Sequence, residues 1–228
     1  MHRFHNTKNK PGFNIRYLAI GFFALIPLAL SCSVIPSGIV VERSYGNMNF
    51  SRIELSSAFS STINQAPGYS LTVSADDNLF DYIEVYQSGS TLHIGLRPGV
   101  SIWSFQTHLH AAISLPAIDG LELSGASRST VSNFSGVSLS TELSGASDAT
   151  LVNSSFSNVS LDLSGASNFT GSSTSIADLS VDLSGASRVD VSVSHSISGT
   201  ASGASSIWYL GSPSVSVSLS GASSVSHK

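Results

Sequence analysis

Residues 139–147 read Leu-Ser-Thr-Glu-Leu-Ser-Gly-Ala-Ser, 159–167 read Val-Ser-Leu-Asp-Leu-Ser-Gly-Ala-Ser, and 179–187 read Leu-Ser-Val-Asp-Leu-Ser-Gly-Ala-Ser. The tetrapeptide Ser-Gly-Ala-Ser begins at 124, 144, 164, 184, 202 and 220, so the spacings are 20, 20, 20, 18 and 18. A fixed period of this size marks a solenoid. Apolar columns stand one, three and five positions before the tetrapeptide, as in Leu163, Leu161 and Val159. Spacing by two is strand alternation, not helix periodicity. The pattern predicts an all-β chain, a parallel β-helix with coils of 18–20 residues, each about 4.8 Å from the next. An antiparallel sandwich of repeated hairpins is the alternative.

The tetrapeptide suits a corner. Gly125, Gly145, Gly165, Gly185, Gly203 and Gly221 supply a residue that takes backbone conformations others resist. Ala and Ser are small enough to stack, and Ser hydroxyls can satisfy backbone groups left free at a bend.

Composition agrees with this. The chain has 228 residues, of which 41% are hydrophobic and 11% charged, and 52 are serine. A disordered Ser/Gly linker lacks that much apolar content. Arg3, Lys8, Lys10 and Arg16 precede residue 17, leaving six basic against 14 acidic side chains, a formal charge of −8. Nucleic-acid binding, which needs a basic surface to displace counterions, is excluded as an expectation.

Tyr17–Leu30 is a 14-residue apolar run. It is too short to span a bilayer, which takes about 20 residues, and fits the h-region of a secretory signal. Leu28-Ala-Leu-Ser-Cys32 follows, holding the only cysteine. This resembles a bacterial lipobox, which implies cleavage before Cys32 and its acylation. Two or three acyl chains anchor stably where one does not. Ser33, in place of an Asp, implies the outer membrane. The expected localisation is therefore the bacterial cell envelope, with the periplasmic or surface face open. An ordinary signal peptide and a retained membrane helix are the alternatives.

The expected organisation is a leader over 1–31 and a lipidated cysteine with tether over 32–40. One β-helical domain over 41–226 follows, divided into an N-terminal β region (41–118) and the repeat solenoid (119–226). Strands are expected at 39–43, 52–55, 69–75, 82–87, 91–96 and 111–115. Ser88-Gly89 and Arg97-Pro98-Gly99 are turn signals. The run 52–59 reads as a degenerate coil, with Leu55 in the leucine column. The early strands are expected to cover the first coil's edge. The last coil has little to cap it, which suggests a homo-oligomer through the open end.

Several of these stretches together resemble a known family. They are Gly38-Ile-Val-Val-Glu-Arg-Ser-Tyr45, Phe50-Ser-Arg-Ile-Glu-Leu55, Tyr69-Ser-Leu-Thr-Val-Ser-Ala-Asp-Asp-Asn-Leu79, Thr91-Leu-His-Ile-Gly-Leu96 and Leu121-Glu-Leu-Ser-Gly-Ala-Ser127. The family is the head GIN domain of auto-transporter adhesins. The resemblance implies an exported, often lipidated bacterial protein with a β-helical body. It carries no catalytic residues over, and adhesion is what its label implies.

The candidate site is an acidic column two residues before the tetrapeptide: Glu122, Glu142, Asp162 and Asp182, continued by Thr200 and Ser218. Alternation turns it outward. Stacked like charges repel and raise one another's pKa values. Such a column is a solvated face, or it holds a cation or cationic partner, since carboxylate oxygens suit Ca²⁺. Paired carboxylates could also serve a glycosidase, so a polysaccharide-active enzyme is the catalytic alternative. Arg128 and Asp148 are expected to be neighbours one coil apart. His93, His108 and His110 raise a metal site, with ordinary surface histidines the plainer reading. Trp103, Phe105, Trp208 and Tyr209 are candidate contact aromatics or edge packing. No nucleophile motif and no phosphate-cradling loop occurs. The expectation is a non-catalytic protein with no cofactor and no metal. It would bind polysaccharide or an envelope protein, with a purely structural, self-associating module as the further alternative.

Overall fold

The computed structural model describes residues 32–46, 48–104 and 107–228. The leader and Phe105 lie outside them. The chain divides into two units, 1–30 and 31–228, and all the described residues belong to the second. It is all-β apart from one short 3-10 turn at Asp77–Leu79. Among the described residues no helix is long and apolar enough to cross a membrane.

The N-terminal region holds β1 (Cys32–Val34), β2 (Val40–Tyr45), β3 (Arg52–Leu55), β4 (Ser60–Gln65), β5 (Ser70–Asp76), β6 (Ile83–Ser88), β7 (Thr91–Leu96), β8 (Val100–Ile102) and β9 (Leu109–Leu115). The repeat region holds β10 (Gly120–Leu123), β11 (Arg128–Ser132), β12 (Ser135–Leu143), β13 (Asp148–Leu163), β14 (Asn168–Leu183), β15 (Arg188–Ala201), β16 (Ser206–Leu210), β17 (Ser214–Leu219) and β18 (Ser224–His227). From β10 onward each coil pairs parallel with the next, in the register set by the repeat. The parallel β-helix is therefore the fold. Between β14 and β15 the stretch Gly171–Asp178 faces the shorter Val191–Ser196. The coil loses its two residues there, at an outer bend, and the corner stays intact.

The interior is the leucine column. Leu55, Leu123, Leu143, Leu163 and Leu183 are each 0% exposed and partnered in series. Burying one such side chain is worth about 1.5–3 kcal/mol. Beside it stack Ile53, Leu121, Leu161 and Val181, then Leu139, Val159, Leu179 and Ile197, all buried.

The corners are laddered. The Ala166 amide donates to the Gly145 carbonyl at 2.8 Å, and Ala186 to Gly165 at 2.7 Å. The last Ser of the tetrapeptide turns inward. Ser147, Ser167, Ser187 and Ser205 each donate from Oγ to the carbonyl of the Ser three residues back at 2.8 Å. Ser56-Ser57-Ala58-Phe59 takes the same place one coil earlier, bonded by the Ser124 and Arg128 amides to the Leu55 and Phe59 carbonyls.

Spatial order departs from chain order at the start. β3 lies between β7 and β10, and β4 between β9 and β11. The coil made of β7 and β9 is thus the outermost. It is closed by antiparallel strands: β6 on β7, and β5 then β2 on β9. Antiparallel strands present no parallel edge for a further coil, which deters edge-to-edge growth. Gly89 and Gly99 have positive φ in the two turns flagged by sequence.

Candidate ligand-binding face

The face formed by β3, β10 and the C-terminal parts of β12–β15 and β17 alternates. Apolar residues take the inward positions, with Thr141 and Gly199 as exceptions, and polar residues point out. Its outward columns are in register because consecutive coils pair residue for residue.

One column is acidic. Glu122, Glu142, Asp162 and Asp182 are paired in series and continue into Thr200 and Ser218. All four carboxylates are exposed. The column extends the other way through Glu54 to His93. His93 Nδ1 lies 2.7 Å from Glu54 Oε2, and Thr200 Oγ1 donates to Asp182 Oδ1 at 2.7 Å. Both ends of the ladder are therefore hydrogen-bonded. Partial burial, then Glu54, then Glu142 push the Glu122 carboxyl up, and Arg52 and His93 only partly offset this.

Two residues back lies a hydroxyl column, Ser140, Ser160, Ser180, Ser198 and Ser216. It begins at Gly120, over which the Arg52 guanidinium is folded. A third column, Ser138, Asn158, Asp178, Ser196 and Ser214, stands at the bend. His195 Nδ1 is 2.6 Å and Ser196 Oγ 2.5 Å from Asp178 Oδ1. Those two bonds hold the Asp178 carboxyl below its ordinary value. Between the second and third columns runs an open groove of about 340 Å³, floored by Leu139, Val159 and Leu179 and ending at Asp119. It crosses the strands, so its length follows the solenoid axis.

The other candidates are dispersed. His110 bonds Ser60 Oγ at 3.1 Å, and burial followed by His108 lowers its pKa. His108 bonds Ser74 Oγ at 2.9 Å, while His93 sits on the acidic ladder. No three His, Cys, Asp or Glu residues among those described are gathered to hold a metal ion. Arg128 and Asp148 are neighbours, with Nη2 and Oδ2 at 2.8 Å. Burial pushes Asp148 up, but hydrogen bonds from Asn168 and Arg128 outweigh it and its carboxyl sits below the ordinary value. Trp103 is 77% exposed. Trp208 is half-buried, with the Arg188 Cζ 5.0 Å and the Lys228 Nζ 5.4 Å from its ring centroid.

Sequence reasoning missed Glu54 and raised His93 only with His108 and His110, not on this column, because the offset of either residue to Glu122 is not the repeat period. The partners of Asp178 were hidden for the same reason: His195 stands 17 residues on, inside the shortened coil.

A parallel β-solenoid carrying in-register polar ladders defines the structural class. The family follows from the sequence: residues 49–213 match "Putative auto-transporter adhesin, head GIN domain", and the chain belongs to that family. No curated protein matches its sequence. The fold is similar to a "putative adhesin" from Bacteroides fragilis NCTC 9343, with a TM-score of 0.70, 18% identity, and coverage of 86% of this chain and 100% of that one. It is also similar to a "putative lipid binding protein" from Parabacteroides distasonis ATCC 8503, with a TM-score of 0.55, 14% identity, and coverage of 86% and 100%. A "putative adhesin" from Parabacteroides merdae ATCC 43184 gives a TM-score of 0.55, 11% identity, and coverage of 86% and 99%. At these identities the likeness is one of fold.

Proposed function

We propose that the protein is a non-catalytic binding protein of the bacterial cell envelope. Its signal peptide, 1–31, is removed and Cys32 carries acyl chains that hold it in the outer membrane. Its ligand is an extended polar polymer, a polysaccharide or a cationic segment of an envelope protein, laid along the solenoid axis. The observation that carries this reading is the register of three polar columns over successive coils. Such a face offers the same hydroxyl and carboxylate groups at each step, which suits a polymer with a repeat of its own. The adhesin label of the family and of two of the structural neighbours points the same way. A glycosidase reading has less support, because the four carboxylates of the column form a continuous, exposed ladder in which no pair is set apart.

The test is affinity electrophoresis of the purified full chain through gels cast with a panel of bacterial and host polysaccharides. Retardation by at least one polymer, lost in the double variant Asp162→Asn/Asp182→Asn, is expected. Equal mobility in every gel overturns polysaccharide binding. Lipidation is tested separately, by labelling cells with an alkyne fatty acid. Incorporation that disappears in Cys32→Ala is expected.

A second reading is favoured by one observation. The apolar columns that are buried in inner coils emerge at β17, where Val215 is 41% and Leu219 48% exposed. Self-association through this end gives a concentration-dependent sedimentation coefficient that Val225→Asp abolishes.

A further inference from the structure

We propose that the capped end of the solenoid is a membrane-docking surface, on which Ile35, Ile39 and Trp103 enter the interfacial layer of a lipid bilayer and fix the orientation of the body. The proposal rests on the reading that Cys32 is the anchor point.

The stretch between Cys32 and the first long strand is the segment expected to be a tether, and it is bonded along its length. β1 pairs parallel with β8, placing Cys32 opposite Val100 and Val34 opposite Ile102. The Trp103 amide donates to the Val34 carbonyl at 2.9 Å. Asn78 then grips the chain from both sides. Its Nδ2 donates to the Ile35 carbonyl at 2.8 Å, and its Oδ1 accepts from the Ser37 amide at 3.0 Å. The Gly38 amide donates to Asp76 Oδ1 at 2.7 Å, and the Asp77 amide to the Ile39 carbonyl at 2.8 Å. The acylation point is therefore held against the body.

These bonds fix the backbone and leave the side chains outside. Ile35 is 71%, Ile39 61% and Trp103 77% exposed. Exposed apolar residues scattered singly are ordinary. These three are tied to one another through Val34, Asp77 and Asn78, at the end where the chain meets its anchor.

Two features select lipid as what covers them. Acyl chains on Cys32, the reading on which this proposal rests, join hydrocarbon covalently to this end, and the apolar run 17–30 that precedes it does the same where it is retained. Trp is suited to the boundary between headgroups and acyl chains, where its ring is buried and its N–H stays wet. Residues 32–41 and 100–104 contain no charged side chain, and the one carboxylate bonded to this segment at the surface, the exposed Asp77 on Ser37 Oγ, would be repelled by an anionic headgroup. Zwitterionic lipid is therefore the right probe.

The chain has two tryptophans, which makes the test direct. Full-length protein is extracted from the membranes of a diderm bacterium and reconstituted into phosphatidylcholine vesicles with or without brominated acyl chains. In Trp208→Phe, which reports Trp103 alone, emission is expected to shift to the blue and to lose most of its intensity against brominated lipid. In Trp103→Phe, which reports Trp208, the two vesicle types give the same emission. Adding Ile35→Ser and Ile39→Ser to the Trp208→Phe chain restores much of the lost intensity. Protein that floats with the vesicles while Trp103 stays unquenched overturns the docking and leaves the anchor standing. Protein that does not float at all refutes the anchor, and the docking surface falls with it.

Discussion

A β-carbon on Gly165 would stand 2.4 Å from the carbonyl oxygen of Gly145, the same oxygen that accepts the Ala166 amide. The corner thus stacks backbone on backbone with no room for a side chain, and Gly165 also has φ +73°. Gly165→Ala meets two penalties, the left-handed conformation and the overlap, and loses about 2–4 kcal/mol. Gly89 has φ +58° with open space around it, so Gly89→Ala meets only the first and loses about 1 kcal/mol. Urea unfolding midpoints of the two variants separate the terms. Equal losses would mean that the corner stacking contributes nothing.

Glu122 gives the acidic ladder a pH signature. Its folded pKa lies above the ordinary 4.5, through burial and then the carboxylates of Glu54 and Glu142. A raised carboxyl pKa means that the folded state holds the proton more tightly. The stability this contributes is complete below 4.5 and is lost as pH rises through the folded value. Ionised Glu122 therefore opposes folding at neutral pH. Glu122→Gln is expected to raise the urea midpoint near neutrality and to match the wild type in acid. Asp178 has the opposite sign, since its carboxyl is held below 3.8 by Ser196 and His195. Asp178→Asn should lower the midpoint at neutral pH and converge with the wild type in acid.

The ladder was legible because a parallel solenoid turns sequence period into spatial neighbourhood. Glu142 and Asp162 are 20 apart in sequence, so they are adjacent across coils. The N-terminal region resisted the same reading because its coils are not stacked in chain order. β4, with Ile63 its only aliphatic residue, did not read as a strand. One of its inward positions is Ser61, which is satisfied by Ser129 Oγ at 2.8 Å and needs no apolar residue. β1 and β8 are three residues each, too short to show alternation. The hold on residues 35–39 comes from Asp76, Asp77 and Asn78, whose roles are set by tertiary contacts. All three lie in the stretch Tyr69–Leu79 that carries the family resemblance, and nothing in that stretch alone shows what they hold.

Thr141 is a polar residue in an apolar column. It is 1% exposed, it stands between Leu121 and Leu161, and its hydroxyl has no hydrogen-bond partner among the described residues. A buried hydroxyl without a partner costs about 1–3 kcal/mol of desolvation. Thr141→Val keeps the shape and removes that cost, so a gain of about 1 kcal/mol is expected. Ser167 is the contrast, buried but bonded to the Ser164 carbonyl at 2.8 Å. Ser167→Ala should lose about 1 kcal/mol. Calorimetric Tm values moving in opposite directions in the two variants would meet this expectation. A loss in both would show that the Thr141 hydroxyl is satisfied.

Trp208 fastens the last coil. It lies in register with Asp190 on one side and Ser226 on the other. Lys228 reaches back over its ring to Asp190, with Nζ 2.5 Å from Oδ2, and the Lys228 amide donates to the Tyr209 carbonyl at 2.9 Å. An exposed cation–π contact is worth about 0.5–1 kcal/mol, and an exposed ion pair about 0–1 kcal/mol. Neither decides the global fold, but a solenoid's terminal coil is held only by its one neighbour and opens first. Trp208→Ala is therefore expected to speed amide exchange through β17 and β18 while residues 160–163 keep their protection. Exchange that accelerates equally in both places would mean that the coils unfold as one unit, and that Trp208 acts on the whole body.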